Sequence, residues 1–469
     1  MNFLSYYWLK APWTLVYMLQ QVEYNPYKFL GWFKSLPNLF GVQRRGQLEL
    51  TRRVKLMLLI SYGSWLLTFG AGVILAVSQQ NLLPLLLCLL APLVCVLVLF
   101  IATLLLQKFV VDRAEAREIS AAKQKLAGMN CQTIAVLGSY GKTTMKEILT
   151  TVLSESKKVA ATPGNKNVLI SHARWVNKSL SGEEEVLIFE YGESKPGDIE
   201  LLAAFSKPDI AVITGLAPAH LDGYTSLEAI ADDLATISKT VDHKNIYVNG
   251  NSELLRSKVN GYFYNPKGIA NLAVQDVKID FNATSFALDV EGKKLHLYTG
   301  LLGAHQIGPL CAVVAIALRL GLSEQQILNG VAATMPYEHR MQPRSLGGAW
   351  IIDDTYNGNI EGMRAGLALL KALPGKRKIY VTPGLVDQGV ETESVHKQLG
   401  QLIADTAPDK VVLMQNSATE HIRTGMNEGG YTGEVNIETE PLDYYTNLEH
   451  FLATGDIIML QNDWPDSYK

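Results

Sequence analysis

The sequence has 469 residues, of which 48% are hydrophobic and 19% are charged, and its formal net charge is −3. This length allows roughly three domains, and the near-neutral charge excludes a global basic field of the kind that attracts nucleic acid. The four cysteines contain no C-x-x-C pair, so neither a disulfide framework nor a zinc site is predicted. The excess of apolar residues lies almost entirely before residue 110.

Residues 1–55 are rich in aromatic and basic side chains, a composition that suits a helix lying at a membrane interface. Lys10 and Pro12 interrupt this segment, and no basic region precedes an apolar stretch, so a cleaved signal peptide is not expected. A third membrane-spanning helix within residues 1–21 remains an alternative.

Two long uncharged runs follow, 23 residues at 56–78 and 25 residues at 82–106. Each can span a hydrocarbon core of about 30 Å, so residues 56–107 are predicted to form a transmembrane helical hairpin. Basic residues precede the first run and follow the second, which places both ends in the cytoplasm. The alternative is a buried hairpin of a soluble protein. Residues 108–130 carry mixed charges at helical spacing and predict a solvated juxtamembrane helix.

The motif GSYGKTT (138–144) lies between an apolar run typical of a buried strand and a stretch with helical apolar spacing. This is the context of a phosphate-binding loop, although the spacing is one residue shorter than in the common form. Lys142 would reach the β- and γ-phosphates and Thr143 would hold Mg²⁺, while loop N–H groups and the helix N-terminus bind phosphate. An ordinary glycine-rich turn is the alternative. The expected nucleoside triphosphate site comprises Gly138, Ser139, Tyr140, Gly141, Lys142, Thr143 and Thr144.

Residues 131–340 alternate strands with helices and predict a P-loop α/β domain with a β-rich insertion at 251–297. From residue 341 the alternation restarts, so residues 341–469 are predicted to form a second, Rossmann-like α/β domain. The cleft between the two domains is the expected active site. The candidate strands are 133–137, 185–189, 210–214, 245–248, 285–290, 349–352, 378–381, 410–414 and 456–460, and the candidate helices include 307–320 and 324–333.

Several stretches, taken in order, resemble the Mur ligases, and among them the MurF type that adds D-Ala-D-Ala to the muramoyl peptide. The resemblance covers about residues 131–462 and implies amide formation driven by ATP with Mg²⁺, through an acyl phosphate, in peptidoglycan precursor synthesis. The stretches are GSYGKTT (138–144), ATPGNKN (161–167), EYGESKPGDIE (190–200), KPDIAVITGLAPAHLDGY (207–224), GAHQ (303–306), HRMQ (339–342), IIDDTYNGN (351–359) and GLVDQG (384–389).

Glu190 ends a predicted strand beside the phosphate-binding loop, where its carboxylate can share Mg²⁺ with Thr143. The resemblance implies that His220 holds a second metal ion and that Arg340 binds the nucleotide phosphates, so that Lys142, His220 and Arg340 are the catalytic candidates. A structural role for His220, and turn formation by Asn165 and Asn167, are the alternatives. The other implied contacts are to the nucleotide (Gln306, Asp353, Asp354) and to the substrate (Asn165, Asn167, Tyr356, Asn357, Asn359).

Three departures from the family pattern stand out. Leu234 and Thr236 take the positions of the family's carbamoylated lysine and its glutamate, so either Asp232 or Asp233 supplies a ligand or the second metal is absent. Pro309 replaces an asparagine of the base-binding run. Residues 1–130 stand in place of the domain that grips UDP, which motivates the hypothesis of a lipid-linked acceptor.

We therefore expect a MurF-like amide ligase anchored in the bacterial cytoplasmic membrane by more than one span, with its catalytic domains facing the cytoplasm. Its expected partners are ATP, a muramoyl-peptide-like carboxylate, a dipeptide amine and the lipid bilayer, and no nucleic acid is expected. One alternative is a Mur-type ligase acting on another carboxylate. Another is a nucleotide-binding scaffold that does not ligate.

Overall fold

The computed structural model describes residues 9–35, 48–164, 166–217, 223–290, 292–356, 358–385, 388 and 391–462. The chain divides into two compact units, Met1–Glu118 and Ile119–Lys469. Three of the residues named above as site candidates, Asn165, His220 and Asn357, lie outside the described residues.

The first unit is helical. Its two long helices, α3 and α4, are joined by a short link and pack against each other, with Gly72 allowing a close approach. A Cβ atom at Gly72 would lie 2.7 Å from Cys88 Sγ. The shorter α1 docks on α3, where the Ser61 hydroxyl donates to the Pro12 carbonyl at 3.3 Å. The helices are α1 (Ala11–Gln21), α2 (Pro26–Ser35), α3 (Arg52–Ser78) and α4 (Leu86–Leu106), and α5 (Asp112–Ala127) follows a π-helical turn.

Two helical stretches of the described residues, Arg52–Ser78 and Leu83–Ala127, are long and apolar enough to cross a membrane. Many of their large apolar side chains are exposed, for example Leu67 at 75% and Val77 at 74%. Helix α1 has 11 residues, fewer than the roughly 20 that a span requires. Membrane anchoring by the predicted hairpin stays a prediction.

A ten-stranded sheet forms the centre of the second unit, in the order β10-β9-β8-β7-β6-β5-β4-β1-β3-β2. Strands β1 to β6 pair in parallel, and β7 to β10 extend the same sheet with antiparallel pairing. The strands are β1 (Gln132–Leu137), β2 (Val159–Ala161), β3 (Val186–Glu190), β4 (Ile210–Ile213), β5 (Ile246–Asn249), β6 (Tyr262–Asn265), β7 (Gly268–Ile269), β8 (Leu272–Ile279), β9 (Thr284–Val290) and β10 (Lys293–Thr299).

Both faces of the parallel region are covered by helices, which is why its strands are continuous apolar runs. Along β1 the side chains alternate between two cores: Ile134 and Val136 join one, and Ala135 and Leu137 join the other. The helices are α6 (Lys142–Leu153), α7 (Leu169–Ser179), α8 (Asp198–Ser206), α9 (Leu227–Ala235), α10 (Glu253–Lys258), α11 (Ile307–Arg319) and α12 (Glu324–Ala332).

A second sheet of six strands follows, in the order β11-β12-β16-β13-β14-β15, parallel except for the edge strand β11. The rings of Phe281 and Trp350 stack at 4.7 Å and connect the β8–β9 turn with β12 of this sheet. The elements are β11 (Gln342–Leu346), β12 (Ala349–Asp354), β13 (Arg377–Thr382), β14 (Lys410–Met414), β15 (Glu434–Glu438) and β16 (Asp456–Gln461), with α13 (Ile360–Ala372), α14 (Thr392–Thr406), α15 (Thr419–Glu428) and α16 (Pro441–Thr446).

The predicted α/β class, with a P-loop domain followed by a Rossmann-like domain, is confirmed. The predicted β-rich insertion is present as the antiparallel extension β7 to β10, which continues the main sheet rather than forming a separate one. The predicted boundary between residues 340 and 341 stays a prediction.

Candidate active site

The glycine-rich loop wraps over the end of β4. Gly138 and Gly141 have φ angles of 134° and 77°, in the region that glycine adopts without strain. A Cβ atom at Gly138 would lie 2.6 Å from Thr214 Oγ1 and 2.8 Å from the Gly215 carbonyl oxygen. The Ser139 N–H donates to that carbonyl at 2.9 Å. Helix α6 begins directly after the loop, so its free N–H groups point at the space where phosphate would bind.

Lys142, the first residue of α6, turns back over the loop. Its ammonium donates to the Gly138 carbonyl and to both carboxylate oxygens of Glu193, at 2.9 and 3.1 Å. The Glu193 side chain is almost fully buried. The predicted phosphate-binding lysine therefore lies at the loop, paired with an acid that the sequence analysis did not identify.

Thr143 and Glu190 meet at the carboxyl ends of β1 and β3, where Val136 and Glu190 are paired residues. The Thr143 hydroxyl donates to the Glu190 carboxylate at 3.1 Å. The fully buried Lys146 approaches the same carboxylate at 3.1 Å and also donates to the Gly164 carbonyl at 2.6 Å. A hydroxyl and a carboxylate side by side at a phosphate-binding helix are hard oxygen donors that fit Mg²⁺. The structure thus brings Thr143 and Glu190 together, and the metal site predicted at Thr143, Glu190 and His220 stays a prediction.

The neighbouring His172 has a structural role. Burial lowers its pKa to about 4, so the ring is neutral. Its Nε2 lies 2.9 Å from the Glu190 carbonyl oxygen, and the Glu190 N–H donates to the Thr162 hydroxyl at 3.0 Å. These two contacts fix the backbone of Glu190 at the strand end.

The second wall of the site comes from the residues before and after β11 and β12. Arg340 stacks on the ring of Tyr356, with 4.5 Å between its guanidinium carbon and the ring centroid. Burial lowers the pKa of Arg340, while the charges of Asp354, Tyr356 and Glu190 oppose that shift. Glu190, which contacts Thr143 at the start of α6, is thus one of the negative charges that act on Arg340.

Asp354 lies beside Arg340 and receives hydrogen bonds from Gln461 Nε2 at 2.8 Å and from the Met341 N–H at 3.2 Å. Desolvation raises its pKa to about 6, against the opposing effect of these bonds and of Arg340. Asp353 points elsewhere: its carboxylate pairs with His339 Nδ1 at 3.0 Å and accepts from Thr355 Oγ1 at 2.7 Å.

A cavity of about 520 Å³ separates the two walls. It is large enough to hold a nucleoside. Burial raises the pKa of Tyr140, on its first wall, to about 12. The predicted site residues that line the cavity are Tyr140, Gly141, Thr144, Gln306, Arg340, Asp354 and Asn359, and Pro309 lines it too. Lys142, Thr143, Glu190, Asn167, Asp353 and Tyr356 are not among the lining residues.

Three residues predicted to contact nucleotide or substrate, Gln306, Asn359 and Asn167, have hydrogen-bond partners within the protein. Gln306 Nε2 lies 2.9 Å from His305 Nε2, and desolvation lowers the pKa of His305 to about 4, so the neutral ring can accept this bond. Asn359 caps α13, because its Oδ1 accepts from the Glu361 and Gly362 N–H groups at 3.1 and 3.0 Å. The Asn167 carbonyl accepts from the Gly192 N–H at 2.8 Å, which holds Asn167 beside the end of β3.

The residues around Leu234 have structural contacts. Leu234 is fully buried in the core. Asp232 pairs with Lys258 at the surface. Asp233 accepts from the Gly197 N–H at 2.7 Å and from the Tyr224 hydroxyl at 2.8 Å. Among the described residues there is no group of three or more His, Cys, Asp or Glu side chains that could hold a metal ion.

Sequence reasoning missed two charged residues of this site, Lys146 and Glu193. Lys146 follows Lys142 by four positions, so the two lie on neighbouring turns of one helical face. Glu193 follows Glu190 by three positions within one acidic stretch. Their spacing was a usable signal, but only the fold shows that both carboxylates meet lysines of α6.

Two domains of the chain match a known family. Residues 136–317 match the Mur ligase middle domain, and residues 339–461 match the Mur ligase glutamate ligase domain. Together these matches include the phosphate-binding loop, Arg340 and Asp354, and they leave out the lining residues 333–337.

Curated relatives carry the same name in several bacteria. The chain is 31% identical to the UDP-N-acetylmuramoyl-tripeptide–D-alanyl-D-alanine ligase of Borreliella burgdorferi over 292 residues, covering 60% of this chain and 61% of that protein. It is 28% identical to the Bacillus subtilis ligase of that name over 351 residues, covering 72% and 75%. The chain thus spans less than two thirds of the Borreliella burgdorferi relative.

The fold is also similar to solved structures. The crystal structure of MurF ligase from Thermotoga maritima in complex with ADP superposes with a TM-score of 0.65 and 24% identity, covering 74% of this chain and 80% of that one. At this identity the likeness establishes the fold alone.

Proposed function

Because this chain belongs to the Mur ligase family, we propose that it is an ATP-dependent ligase that joins D-Ala-D-Ala, or a similar amine, to the carboxylate of a muramoyl peptide. The observation that carries the proposal is the cavity itself, to which the phosphate-binding loop contributes Tyr140 and Gly141 and Arg340 contributes from the opposite side. The same loop leads into Thr143, whose hydroxyl donates to Glu190. The names of the aligned relatives supply the substrate class.

The loop wall is suited to hold a triphosphate. The N–H groups at the start of α6 and the Lys142 ammonium supply positive charge to the phosphates. Thr143 and Glu190 would hold Mg²⁺, which when bound neutralises charge on the phosphoryl oxygens. The Lys146 ammonium contacts both the Glu190 carboxylate and the Gly164 carbonyl, and it keeps the Glu190 carboxylate oriented toward Thr143.

The reaction follows from this charge arrangement. A carboxylate oxygen of the acceptor attacks the γ-phosphorus, the bond to the bridging oxygen breaks, and ADP leaves with an acyl phosphate remaining. The amine nitrogen then attacks the carbonyl carbon, the bond from that carbon to the phosphate oxygen breaks, and phosphate leaves with the proton that the nitrogen gives up as the amide forms. The side chains act by positioning the reactants and by stabilising developing negative charge. Arg340, on the opposite wall, supports the transferring phosphoryl group once the two walls approach.

The proposal also includes a membrane location. Helices α3 and α4 would anchor the chain in the bacterial cytoplasmic membrane, with the two ligase domains facing the cytoplasm. Two features support this arrangement: the apolar side chains of these helices are exposed, and basic residues lie at the start of α3 and after the end of α4. A lipid-linked acceptor is the corresponding hypothesis for the substrate.

Phosphate release tests the proposal. We expect D-Ala-D-Ala together with a muramoyl tripeptide to stimulate phosphate release from ATP, and Lys142→Ala to lower that rate by at least about 100-fold. Comparing a UDP-linked with a lipid-linked acceptor tests the membrane hypothesis, since equal rates with both would remove its support.

One observation favours a second candidate function, a nucleotide-binding protein that does not ligate. The family's carbamoylated lysine is replaced by Leu234, which is fully buried. Measurable ATP binding without turnover, for every acid and amine supplied, would select this candidate over the ligase.

A further inference from the structure

The contact between Lys142 and Glu193 concerns the first step of the proposed function, nucleotide binding. The ammonium of a lysine has three N–H donors. In this structure they meet the Gly138 carbonyl and the two carboxylate oxygens of Glu193. A nucleotide phosphate can therefore accept a hydrogen bond from the Lys142 ammonium only if the ammonium gives up one of these three hydrogen bonds.

The Lys142–Glu193 pair is shielded from water, so replacing Glu193 by a phosphate as the partner of Lys142 has a large effect on the binding energy. The exposed fraction of the side chain is 12% for Lys142 and 2% for Glu193. At such a site the attraction between opposite charges is screened far less than at the surface. The Glu193 carboxylate would also repel the negative charge of a triphosphate held by the same lysine.

Glu193 is carried on a loop with backbone hydrogen bonds on both sides of it. Before it, the Gly192 N–H donates to the Asn167 carbonyl at 2.8 Å. The Ser194 and Lys195 N–H groups donate to Asp198 Oδ2 at 2.9 and 3.0 Å. The Gly197 N–H donates to the buried Asp233 at 2.7 Å. Because these bonds hold the backbone around Glu193, rotation of its side chain is the simplest movement by which its carboxylate leaves Lys142.

We propose that Glu193 is a positioning residue for nucleotide binding: it holds the Lys142 ammonium at the loop beforehand and competes with the β- and γ-phosphates for it. The inference rests on the proposed nucleotide site and is independent of the acceptor. Glu193 thus lowers nucleotide affinity while keeping Lys142 beside Gly138, where the phosphates arrive.

Glu193→Gln tests this competition in the full chain. Calorimetric titration with Mg²⁺ and the β,γ-imido analogue of ATP should show binding about tenfold tighter than in the native protein, since one charge-assisted hydrogen bond corresponds to at least that factor. Affinity for AMP, which has no β- or γ-phosphate, should change less than about twofold. Glu193→Asp, which keeps the charge but shortens the side chain, should tighten binding of the analogue less than the glutamine variant does.

A double-mutant cycle tests whether Glu193 changes nucleotide affinity through its contact with Lys142. In a Lys142→Met background, the added Glu193→Gln substitution should change affinity for the analogue less than about threefold. Glu183→Gln is the matched control, since it breaks the exposed Lys158–Glu183 pair of the same domain (2.8 Å) and should leave affinity unchanged.

Three results would overturn the inference: weaker binding by Glu193→Gln, equal effects in both Lys142 backgrounds, or an equal change in AMP binding. The melting temperature of each variant without nucleotide shows whether it is folded. If the native chain binds no nucleotide at all, the proposed function itself fails. If the native chain binds nucleotide but the substitution does not tighten binding, only this inference fails.

Discussion

At the scale of single residues, Asp354 shows how the cleft changes the chemistry of an ordinary side chain. It is a strand-end acid beside Arg340, yet desolvation raises its pKa from 3.8 to about 6. The carboxyl group thus stays protonated in the folded protein over a pH range in which the unfolded chain has already ionised. A group of this kind stabilises the fold at low pH and loses that effect as the pH rises.

The stability of the protein should therefore depend on pH through Asp354. Below pH about 4 the carboxyl is protonated in both states, and between about 4 and 6 it is ionised only in the unfolded chain. The free energy of unfolding should fall across this window by up to roughly 3 kcal/mol, the equivalent of two pKa units, less where water enters from the cavity. Asp354→Asn should lack this component in denaturant unfolding at pH 4, 5, 6 and 7. Parallel curves for the two proteins would refute the assignment.

Individual site residues were predictable where a backbone motif places them. The glycine loop places Lys142 and Thr143, and the end of an apolar run places Glu190 beside them. Glu193 could not be predicted because its carboxylate reaches Lys142 only through the course of the loop after β3. The different orientations of Asp353 and Asp354 also depend on partners that are distant in sequence, such as Gln461.

At the scale of elements, the loop between β1 and α6 depends on glycine for two distinct reasons. Gly138 has a positive φ and also lies against Thr214 and Gly215. Gly182 has a positive φ of 93° too, but nothing lies within 4 Å of a Cβ atom built there. A substitution at Gly182 therefore tests backbone strain alone, whereas one at Gly138 tests backbone strain together with steric overlap.

Gly138→Ala should be more destabilising than Gly182→Ala. The control variant, Gly182→Ala, should lower the free energy of unfolding by about 1–2 kcal/mol, which is the strain of a non-glycine residue at positive φ. The Gly138 variant adds overlap with the end of β4, so we expect a larger loss of unfolding free energy together with loss of nucleotide binding. Denaturant unfolding and nucleotide titration of both variants give the comparison, and equal losses in both measurements would contradict the steric account.

Helix α13 depends on Asn359 at its start. The cap uses only the side-chain oxygen, and Asn359 also lines the cavity. Asn359→Ala should cost about 1 kcal/mol of stability, whereas Asn359→Asp keeps the cap. If the amide nitrogen contacts substrate, as the family resemblance implies, the aspartate variant should raise KM while its melting temperature stays near the native value. An unchanged KM would leave Asn359 with the capping role alone.

The main strands were predictable because parallel strands buried on both faces are short apolar runs. The predicted 210–214 and 410–414 correspond to β4 and β14 within a residue. The edge strands β2, β11 and β15 were not predicted. Strand β15 is largely exposed, and its five residues, Glu434–Glu438, contain only two apolar side chains, so no long apolar run marks it.

At the scale of the whole molecule, the composition of α3 and α4 strongly predicts that the chain is attached to a membrane. The full chain should remain in the membrane pellet after an alkaline carbonate wash. Leu97→Arg, at an exposed position in the middle of α4, should weaken insertion because a charge at mid-bilayer costs about 2.5–3.5 kcal/mol; Leu97→Met is the matched control. Release of the native chain into the supernatant would contradict the anchor.

The central claim is that the two walls of the cleft form one ligase active site. Its most direct test is to incubate the full chain with ATP, Mg²⁺, a muramoyl tripeptide acceptor and D-Ala-D-Ala, and to identify the product by mass spectrometry. We expect one amide product for each ADP and phosphate formed, and none with Lys142→Ala. ATP consumption with no amide product, or an amide that forms equally well without Lys142, would contradict it.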